Sequence, residues 1–259
     1  MLAVPNFSEG RDRATLEAIG AAFGPGLIHA SADADHHRAV FTVTGEPGAL
    51  AEKVVAAARV AVERIDLSAH AGVHPRVGAI DVAPIVYLTD GERGAACAEA
   101  LVLADRLGHE LGLPVYLYGA LAGGRTRAEL RRPGALDHLH PDAGPARLHP
   151  TAGAVLVAAR PPLAAFNVYV DASLQQAKEI AAHLRGPAVK ALGLQLERAG
   201  RVQVSTNIED LTTTTPGDVV RAVQQHARVT EAELVAPAPR SAFESFPADV
   251  PLTGAQLLD

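Results

Sequence analysis

Residues 68–81, which read SAHAGVHPRVGAID, form the densest group of reactive polar side chains in an otherwise apolar stretch. The glycines and the proline favour a shaped loop that leads into a strand. Within this loop His74 can give or take a proton near neutral pH, and Arg76 can hold a carboxylate through paired hydrogen bonds. The combination predicts a site for a substrate that carries carboxylates.

Each of these residues also has a structural interpretation. His74 could be a loop histidine that is satisfied by a backbone carbonyl, and Arg76 could form an ion pair with Asp81 or another carboxylate. For His70 we expect a supporting or surface role. The spacing alone leaves these alternatives open.

A metal site is the main competing hypothesis for the histidines. Three groups have suitable composition: His36 and His37, His70 and His74, and His138 and His140. Two histidines four residues apart bind one metal when they share a helical face, and Gly72 with Pro75 disfavours a helix there. We therefore expect no metal, although a metal-dependent hydrolase that uses the first two groups stays an alternative. No nucleophilic-serine, P-loop or dinucleotide glycine motif is present.

The elements that must position this loop alternate between strand and helix patterns. Strands are predicted at 2–7, 26–30, 39–43, 79–88 and 115–118, and the segment 31–38 is too polar to be core. Helices are predicted from apolar residues at helical spacing: Leu16, Ile19 and Phe23; Leu50, Val54, Ala58, Val62 and Ile65; and Cys97, Leu101, Ala104 and Leu111. We expect Cys97 to be a structural thiol and Gly112 to end the third helix.

Residues 119–153 interrupt this alternation. Glycine, proline, arginine and histidine accumulate there, and only 127–131 suggests a short helix. A segment of this length inside a compact protein is commonly a linker or a functional loop. We interpret it as both the connection between two subdomains and a loop over a site.

The second half again combines strands and helices. Strands are predicted at 154–160, 163–170, 188–194 and 201–208. One helix opens at the capping box of Ser173 and Gln176, and another opens at Thr215 with an inner face of Val219, Val223 and His226. Asn6 and Asn167 occupy similar strand-to-helix contexts, which suggests two similar α/β halves with an asparagine near each first strand end.

The composition excludes several classes. The 259 residues carry a net charge of −6 with a pI of about 6.0, which argues against nucleic acid as a partner. No apolar run approaches the ~20 residues that span a membrane, and the N-terminus lacks a signal-peptide pattern. We expect a cytoplasmic protein that binds neither nucleic acid nor membrane.

Four segments carry a resemblance to a known family, in matching order and spacing: 4–10 (VPNFSEG), 74–82 (HPRVGAIDV), 113–119 (LPVYLYG) and 163–167 (LAAFN). Together they resemble the formiminotransferase family over most of the chain, from Leu2 to Asn207. The resemblance implies two similar α/β (α+β) subdomains, at 1–160 and 161–259. Each would hold a mixed sheet with helices on its outer side, the sheets would face across a folate groove, and homodimers would be usual.

The resemblance also implies an activity. It is the transfer of the formimino group of formiminoglutamate to tetrahydrofolate, a co-substrate in histidine degradation, without a metal. His74 would be the catalytic acid/base, Arg76 would hold the glutamate carboxylate or charge in the intermediate, and Asn6 and Asn167 would hydrogen-bond substrate or pterin. The folate-contacting stretch would comprise Gly144, Pro145, Ala146, Arg147, Leu148, His149, Pro150, Thr151, Ala152 and Gly153.

Two departures from the family pattern leave alternatives. The position of an aspartate that supports the histidine in animal members falls on Ser31 here, and Asp33 and Asp35 are the candidate replacements. This motivates a folate-binding protein without catalysis as one alternative, and formyl transfer between 5-formyltetrahydrofolate and glutamate is another. Because no cyclodeaminase segment follows the second subdomain, we expect a separate cyclodeaminase to act downstream.

Overall fold

The computed structural model describes residues 1–259 and divides them into two compact units, Met1–Pro161 and Pro162–Asp259. Each unit has its own β-sheet, and both sheets mix parallel with antiparallel pairs. Each also has its own buried apolar core. The fold is therefore mixed α/β, as the sequence predicted.

The first unit contains seven strands and four helices. The strands are β1 (Leu2–Ala3), β2 (Asn6–Phe7), β3 (Leu27–Asp33), β4 (Arg38–Thr44), β5 (Ile80–Val86), β6 (Val115–Leu117) and β7 (Val155–Arg160). The helices are α1 (Arg13–Ala22), α2 (Leu50–Arg64), α3 (Arg93–Leu111) and the short α4 (Arg127–Leu130). No helix of the chain has an apolar run long enough to cross a membrane.

The strands of this unit follow the order β1-β4-β2-β5-β7-β6, and β3 pairs with β4. Strands β5, β7 and β6 run parallel, whereas β2 is antiparallel to both of its neighbours. Helices α1, α2 and α3 share one core with the sheet. A smaller core of β5, β6 and β7 residues packs against Leu130, Leu136 and Leu139.

The N-terminus of helix α2 is capped by a side chain from another helix. Its N-cap residue, Ala49, has no side-chain acceptor. The buried Glu99 of α3 accepts hydrogen bonds from the backbone N–H groups of Gly48 (2.5 Å) and Ala51 (2.7 Å). This carboxylate accepts hydrogen bonds from N–H groups that a helix N-terminus leaves without partners. Its negative charge also interacts favourably with the positive end of the helix dipole.

The predicted buried stripe of α3 was wrong at Leu101, which is 48% exposed. Ala104 is buried as predicted, and Cys97 and Leu111 are half-buried against the core. The rest of the buried face is formed by Ala96, Ala100, Leu103 and Leu107. Apolar residues occur all round this helix, so periodicity alone did not distinguish the two faces. The predicted end at Gly112 is confirmed, with φ at 65°.

Residues 119–153 do not connect the two units, contrary to the prediction. The chain leaves β6, forms α4, and returns as β7, which pairs between β5 and β6 in the same sheet. The boundary falls instead at Pro161 and Pro162. The short helix predicted at 127–131 is confirmed as α4.

The polar segment 31–38 is more buried than the sequence predicted. Strand β3 continues through Asp33, and the following turn buries Asp35, His36 and His37. Asp33 accepts hydrogen bonds from the backbone of Asp35 (2.8 Å) and His36 (2.7 Å). His37 has φ of +50°, a left-handed conformation that histidine adopts more readily than most residues. Polar residues can be buried here because the turn and its neighbours satisfy them.

The second unit contains seven strands and two helices. The strands are β8 (Ala164–Asp171), β9 (Val189–Leu196), β10 (Arg201–Ile208), β11 (Arg228–Leu234), β12 (Ala238–Pro239), β13 (Leu252–Gly254) and β14 (Leu257–Leu258). The helices are α5 (Leu174–Leu184) and α6 (Pro216–Gln224). The main sheet has the order β13-β11-β8-β10-β9, and β12 pairs with β14.

Local sequence signals positioned both helices of this unit correctly. Ser173 with Gln176 and Thr215 with Asp218 form the capping boxes of α5 and α6. Two finer predictions were wrong. His226 is exposed rather than inward, and its ring stacks on that of His183 at 5.3 Å. Asn167 lies within β8 opposite Ser205, not at a strand end, so the proposed repeat of asparagine positions does not hold.

Candidate active site

One end of the first sheet gathers the predicted catalytic loop and its neighbours. Strand β2 ends there and β4, β5 and β7 begin there, because β2 is antiparallel to β4 and β5 while β5 and β7 are parallel. Ser8 after β2 donates to the carbonyl of Gly78 (2.7 Å), and Gly78 pairs with Gly153 before β7. The end of the loop 70–78 is therefore hydrogen-bonded to the segment after β2 and paired with the segment before β7.

His74 is the half-buried centre of this group. Its Nδ1 lies 2.7 Å from the carbonyl oxygen of Pro75 and 3.1 Å from Nη1 of Arg38. A carbonyl oxygen only accepts hydrogen bonds and a guanidinium only donates them. Because the contact to Pro75 is the shorter one, we assign the proton of the neutral ring to Nδ1, and Arg38 then acts on this nitrogen through its charge and not through a hydrogen bond. Nε2 then carries the lone pair and is the nitrogen that can act as a base.

Asp81 is fully buried beneath His74 and organises the charged groups. Its Oδ2 accepts from Nη1 of Arg38 at 2.6 Å and from Nη2 of Arg131, and its Oδ1 accepts from the backbone of Val77 at 2.7 Å. The same Nη1 of Arg38 therefore contacts both Asp81 and His74. Buried charges of this kind are stable when they are paired and hydrogen-bonded.

A β-bulge turns Asp81 toward these partners. Asn6 pairs with Val82 while the next residue, Phe7, pairs with Ile80, so Asp81 is an extra residue in β5. Ile80 packs in the core beneath the helices, whereas Val82 packs with Leu130 on the opposite face. Bulges commonly redirect a side chain next to a functional site.

Asn6 is engaged within the same network. Its Oδ1 accepts from Nε of Arg38 at 3.0 Å, and its Nδ2 donates to the carbonyl of Val4 at 2.9 Å. The amide thus orients the guanidinium that touches His74. Its predicted contact with substrate or pterin stays a prediction.

The electrostatics of the site favour a neutral His74. Burial lowers the pKa of His74 well below 6.5, and the positive charges of Arg38 and Arg131 lower it further, while Asp81 acts in the opposite direction. Burial also lowers the pKa of Arg38 to about 10, which leaves the guanidinium charged at neutral pH. For Asp81, burial raises the pKa, but Arg131, Arg38 and the Val77 amide outweigh it and hold the pKa below its usual range.

Arg76 has all of its donors occupied. Its Nε and Nη2 donate to the carbonyl of His74 (3.2 and 2.9 Å), and Nη2 also donates to the carbonyl of His36 (2.9 Å). Its Nη1 donates to the carbonyl of His37 (3.1 Å) and to Nδ1 of His70 (2.6 Å). A guanidinium has five N–H groups, so none is left for a substrate carboxylate in this arrangement. Arg76 instead joins the catalytic loop to the turn after β3.

The remaining histidines pack around this arginine. The rings of His37 and His70 are 3.8 Å apart, and Nδ1 of His37 accepts from the backbone of Gly10 at 3.1 Å. Burial, with the neighbouring charge of His70, lowers the pKa of His37 to about 4. The supporting role that the sequence suggested for His70 matches its contact with Arg76. No group of three or more His, Cys, Asp or Glu side chains in the chain is placed to hold a metal ion.

The predicted folate-contacting stretch lies beside this loop only at its end. The carbonyls of Thr151 and Ala152 accept from the backbone of Leu67 (2.8 Å) and Ala79 (2.9 Å). Nδ1 of His149 accepts from the backbone of Ala152 at 3.0 Å and closes a tight turn. Residues 144–148 are exposed. Their contact with folate stays a prediction.

Asn167 belongs to the second unit, where it is buried on β8. Its Nδ2 donates to Oε2 of Glu233 at 3.1 Å, and Tyr169 donates its hydroxyl to the same oxygen at 2.8 Å. This contact gives the amide a structural partner. Its proposed role toward a ligand stays a prediction.

Sequence reasoning missed Arg38 and Arg131 and assigned Asp81 only to Arg76. Arg38 and Arg131 are 43 and 50 residues from Asp81, so no local spacing could pair them. The position of Asp81 within the HPRVGAID segment was the one available signal. Ser31 lies on β3 opposite Val40, and Asp33 serves the turn, so the carboxylate that the structure brings to His74 through Arg38 is Asp81.

The fold and the site together define the class of the protein. It is an α/β protein with a histidine positioned for acid–base chemistry among buried arginines. Residues 1–160 match the family model described as "Formiminotransferase domain, N-terminal subdomain". The chain belongs to the formiminotransferase family, whose members are transferases.

Three relatives illustrate the similarity. The chain is 36% identical over 226 residues to the glutamate formimidoyltransferase of Streptococcus pyogenes serotype M1, which covers 79% of this chain and 76% of the relative. It is 34% identical over 228 residues to the glutamate formimidoyltransferase of Thermoplasma acidophilum, covering 79% and 75%. It is 38% identical over 237 residues to the formimidoyltransferase-cyclodeaminase of Gallus gallus, covering 82% of this chain. The match spans less than half of that relative, 44%.

Proposed function

We propose that the protein is a glutamate formimidoyltransferase, which moves the formimino group of N-formimino-L-glutamate to N5 of tetrahydrofolate and releases glutamate. Family membership and the names of the bacterial and archaeal relatives support this activity. Tetrahydrofolate is then a co-substrate, and the reaction belongs to histidine degradation and one-carbon metabolism. We expect a homodimer, with a separate cyclodeaminase acting on the product.

The observation that carries the proposal is the state of His74. Nδ1 is engaged by the carbonyl of Pro75, and Nε2 keeps its lone pair. A pKa lowered by burial, Arg38 and Arg131 keeps the ring neutral at physiological pH. A neutral, oriented imidazole is what a general base needs before the reaction begins.

His74 would serve both halves of the transfer. As the bond between N5 and the formimino carbon forms, Nε2 accepts the proton that N5 loses. As the bond between that carbon and the glutamate nitrogen breaks, the same imidazolium gives its proton to the leaving amine. Because its pKa is low, the imidazolium is a stronger acid than an ordinary histidine, which favours the second step.

We assign the support of His74 to Arg38 and Asp81 rather than to a carboxylate at position 31. The guanidinium of Arg38 lies beside Nδ1 and lowers the pKa of the ring, and Asp81 fixes Arg38 and partly offsets its charge. Arg76 keeps the loop in place through the carbonyls of His36, His37 and His74. We propose that Asn6, Asn167 and the stretch 144–153 contribute to the folate and substrate contacts.

The proposal is tested by comparing donors with the purified protein. Turnover is followed with N-formimino-L-glutamate and tetrahydrofolate, with a cyclodeaminase added as coupling enzyme, and separately with 5-formyltetrahydrofolate and glutamate. We expect formimino transfer to be the faster reaction and to be unaffected by a chelator. Faster formyl transfer would show that 5-formyltetrahydrofolate is the preferred one-carbon donor. Folate binding without turnover would contradict the proposal that the protein is an enzyme. Loss of turnover with the chelator would favour a metal-dependent enzyme.

A further inference from the structure

We propose that Arg131, at the end of α4, binds a carboxylate of the substrates at the His74 site. This inference rests on the proposed function, in which both substrates carry carboxylates. It deepens that function by naming a residue that neither the motifs nor the family match assigns. Three features of the structure support it.

The first feature is the commitment of Arg76. Its five N–H groups are taken by three backbone carbonyls and by His70, so it cannot bind a carboxylate without dismantling the loop. The family resemblance predicts that Arg76 holds the glutamate carboxylate or charge in the intermediate. If a substrate carboxylate binds near His74, as the proposed function requires, another cation has to hold it.

The second feature is an unused donor on Arg131. Its Nη2 donates to Asp81, which holds the guanidinium in place. Its Nε is buried and has no hydrogen-bond partner. A buried donor on a charged group is costly to leave unsatisfied, and a carboxylate oxygen would satisfy it with a charge-assisted bond.

The third feature is the charge balance around His74. Asp81 is a single negative charge shared between the guanidinium groups of Arg38 and Arg131. His74 adds no further charge, since its ring is neutral at pH 7. One positive charge therefore exceeds the negative charge in this buried group, and an anionic ligand would balance it.

The carboxylate has two possible sources. It can belong to the glutamate portion of the formimino donor or to the glutamate tail of the folate. The recognition chemistry is the same for both, a carboxylate against a guanidinium that is already oriented. The experiment must therefore use one probe for each source.

The test is isothermal titration of the full-length protein with L-glutamate and, separately, with 5-formyltetrahydrofolate. Arg131→Gln removes the cation, and Arg132→Gln removes a neighbouring exposed one as the matched control. We expect Arg131→Gln to lower the binding affinity for one of the two ligands at least ~10-fold, because a charge-assisted hydrogen bond is lost. Arg132→Gln should bind both ligands as the wild type does.

The affected probe identifies the source, and either result supports the proposal. Unchanged affinity of Arg131→Gln for both ligands would overturn it. If Arg131→Gln fails to fold, as judged by its melting curve, Arg131→Lys replaces it. In Arg131→Lys we expect the lysine ammonium to stay paired with Asp81. Because lysine lacks the Nε donor of arginine, the affinity for the carboxylate ligand should fall at least ~5-fold. Unchanged affinity of this folded variant would likewise overturn the proposal.

These titrations do not depend on turnover. Loss of affinity in Arg131→Gln together with an inactive wild type would preserve the carboxylate site and contradict the transfer reaction. Normal turnover by the wild type together with unchanged affinity in Arg131→Gln would preserve the transfer reaction and contradict the carboxylate site.

Discussion

The two nitrogens of His74 have different tasks. On the assignment proposed above, Nδ1 donates to the carbonyl of Pro75 with the charge of Arg38 beside it, and Nε2 carries the lone pair that we propose for proton transfer. The charged groups that act on the ring come from three other elements: Arg38 on β4, Asp81 on β5 and Arg131 after α4. His36, in the turn after β3, adds a further small lowering of its pKa. The direction of this pKa shift has a consequence for the pH dependence of activity.

We predict that Arg38→Gln moves the acid limb of kcat/KM to higher pH. The base must be unprotonated, so kcat/KM falls as pH drops through the pKa of His74. In the wild type this limb lies below pH 6.5, because burial, Arg38 and Arg131 all lower that pKa. Removing Arg38 raises the pKa and should lower kcat at the plateau about 10-fold, since the ring loses a positioning contact. A pH–rate profile measures both effects.

Arg59→Gln is the control for this prediction. Arg59 lies on α2 in a surface ion pair with Glu110 at 3.3 Å, and such pairs contribute little. Its profile should match that of the wild type. An acid limb that stays in place in Arg38→Gln would show that Arg38 does not tune His74.

At the residue scale, the sequence predicted His74 as the catalytic histidine but did not predict its environment. The HPRVGAID segment contains His74, Arg76 and Asp81, and the sequence offered a local Arg76–Asp81 ion pair only as the alternative to carboxylate binding by Arg76. The structure distributes the partners differently, because Asp81 is redirected by a bulge and Arg38 and Arg131 arrive from distant segments. Side-chain pairing across strands depends on register, which single-sequence patterns do not contain.

At the scale of elements, two glycines set how closely the catalytic loop approaches β7. A Cβ added to Gly78 would overlap the carbonyl oxygen of Ala154, and Gly153 has φ of +69°. The backbone of Ala79 donates to the carbonyl of Ala152 at 2.9 Å, so this close approach also fixes the start of β5. Glycine is required where two backbones come this near.

We predict that Gly78→Ala destabilises the protein by about 1–3 kcal/mol, the usual cost of forcing an atom into a packed position. It should also lower kcat, because the loop that carries His74 must shift. Gly94→Ala is the matched control, since a Cβ there meets nothing within 4 Å. Denaturant unfolding of both variants measures the change, and equal stability of the two would contradict the prediction.

Element prediction succeeded where the signal was local and failed where it depended on packing. The capping box of α5, the start of α6 at Thr215 and the glycine end of α3 were predicted correctly because each involves neighbouring residues. The buried face of α3 was not, because apolar residues surround that helix. The buried turn at 35–37 was also missed, since its polar groups are satisfied by tertiary contacts such as Gly10 to His37.

At the scale of the whole molecule, the chain forms two α/β units, and the family match covers the first of them almost entirely. The wrong prediction about 119–153 came from treating an irregular stretch as a linker. In fact the stretch supplies Leu130, Leu136 and Leu139 to a core of the first unit and Arg131 to the site. The facing sheets, the folate groove and the homodimer stay predictions from the family resemblance.

The most direct measurement is the rate of formimino transfer by His74→Ala, with folate affinity determined on the same preparation. We predict that kcat falls by about 10²–10⁴, the usual contribution of a general acid–base, while the affinity for 5-formyltetrahydrofolate stays nearly unchanged. His109→Ala, which alters an exposed histidine of α3, should behave as the wild type. A His74→Ala variant that keeps the wild-type kcat would contradict the central claim that His74 transfers the proton.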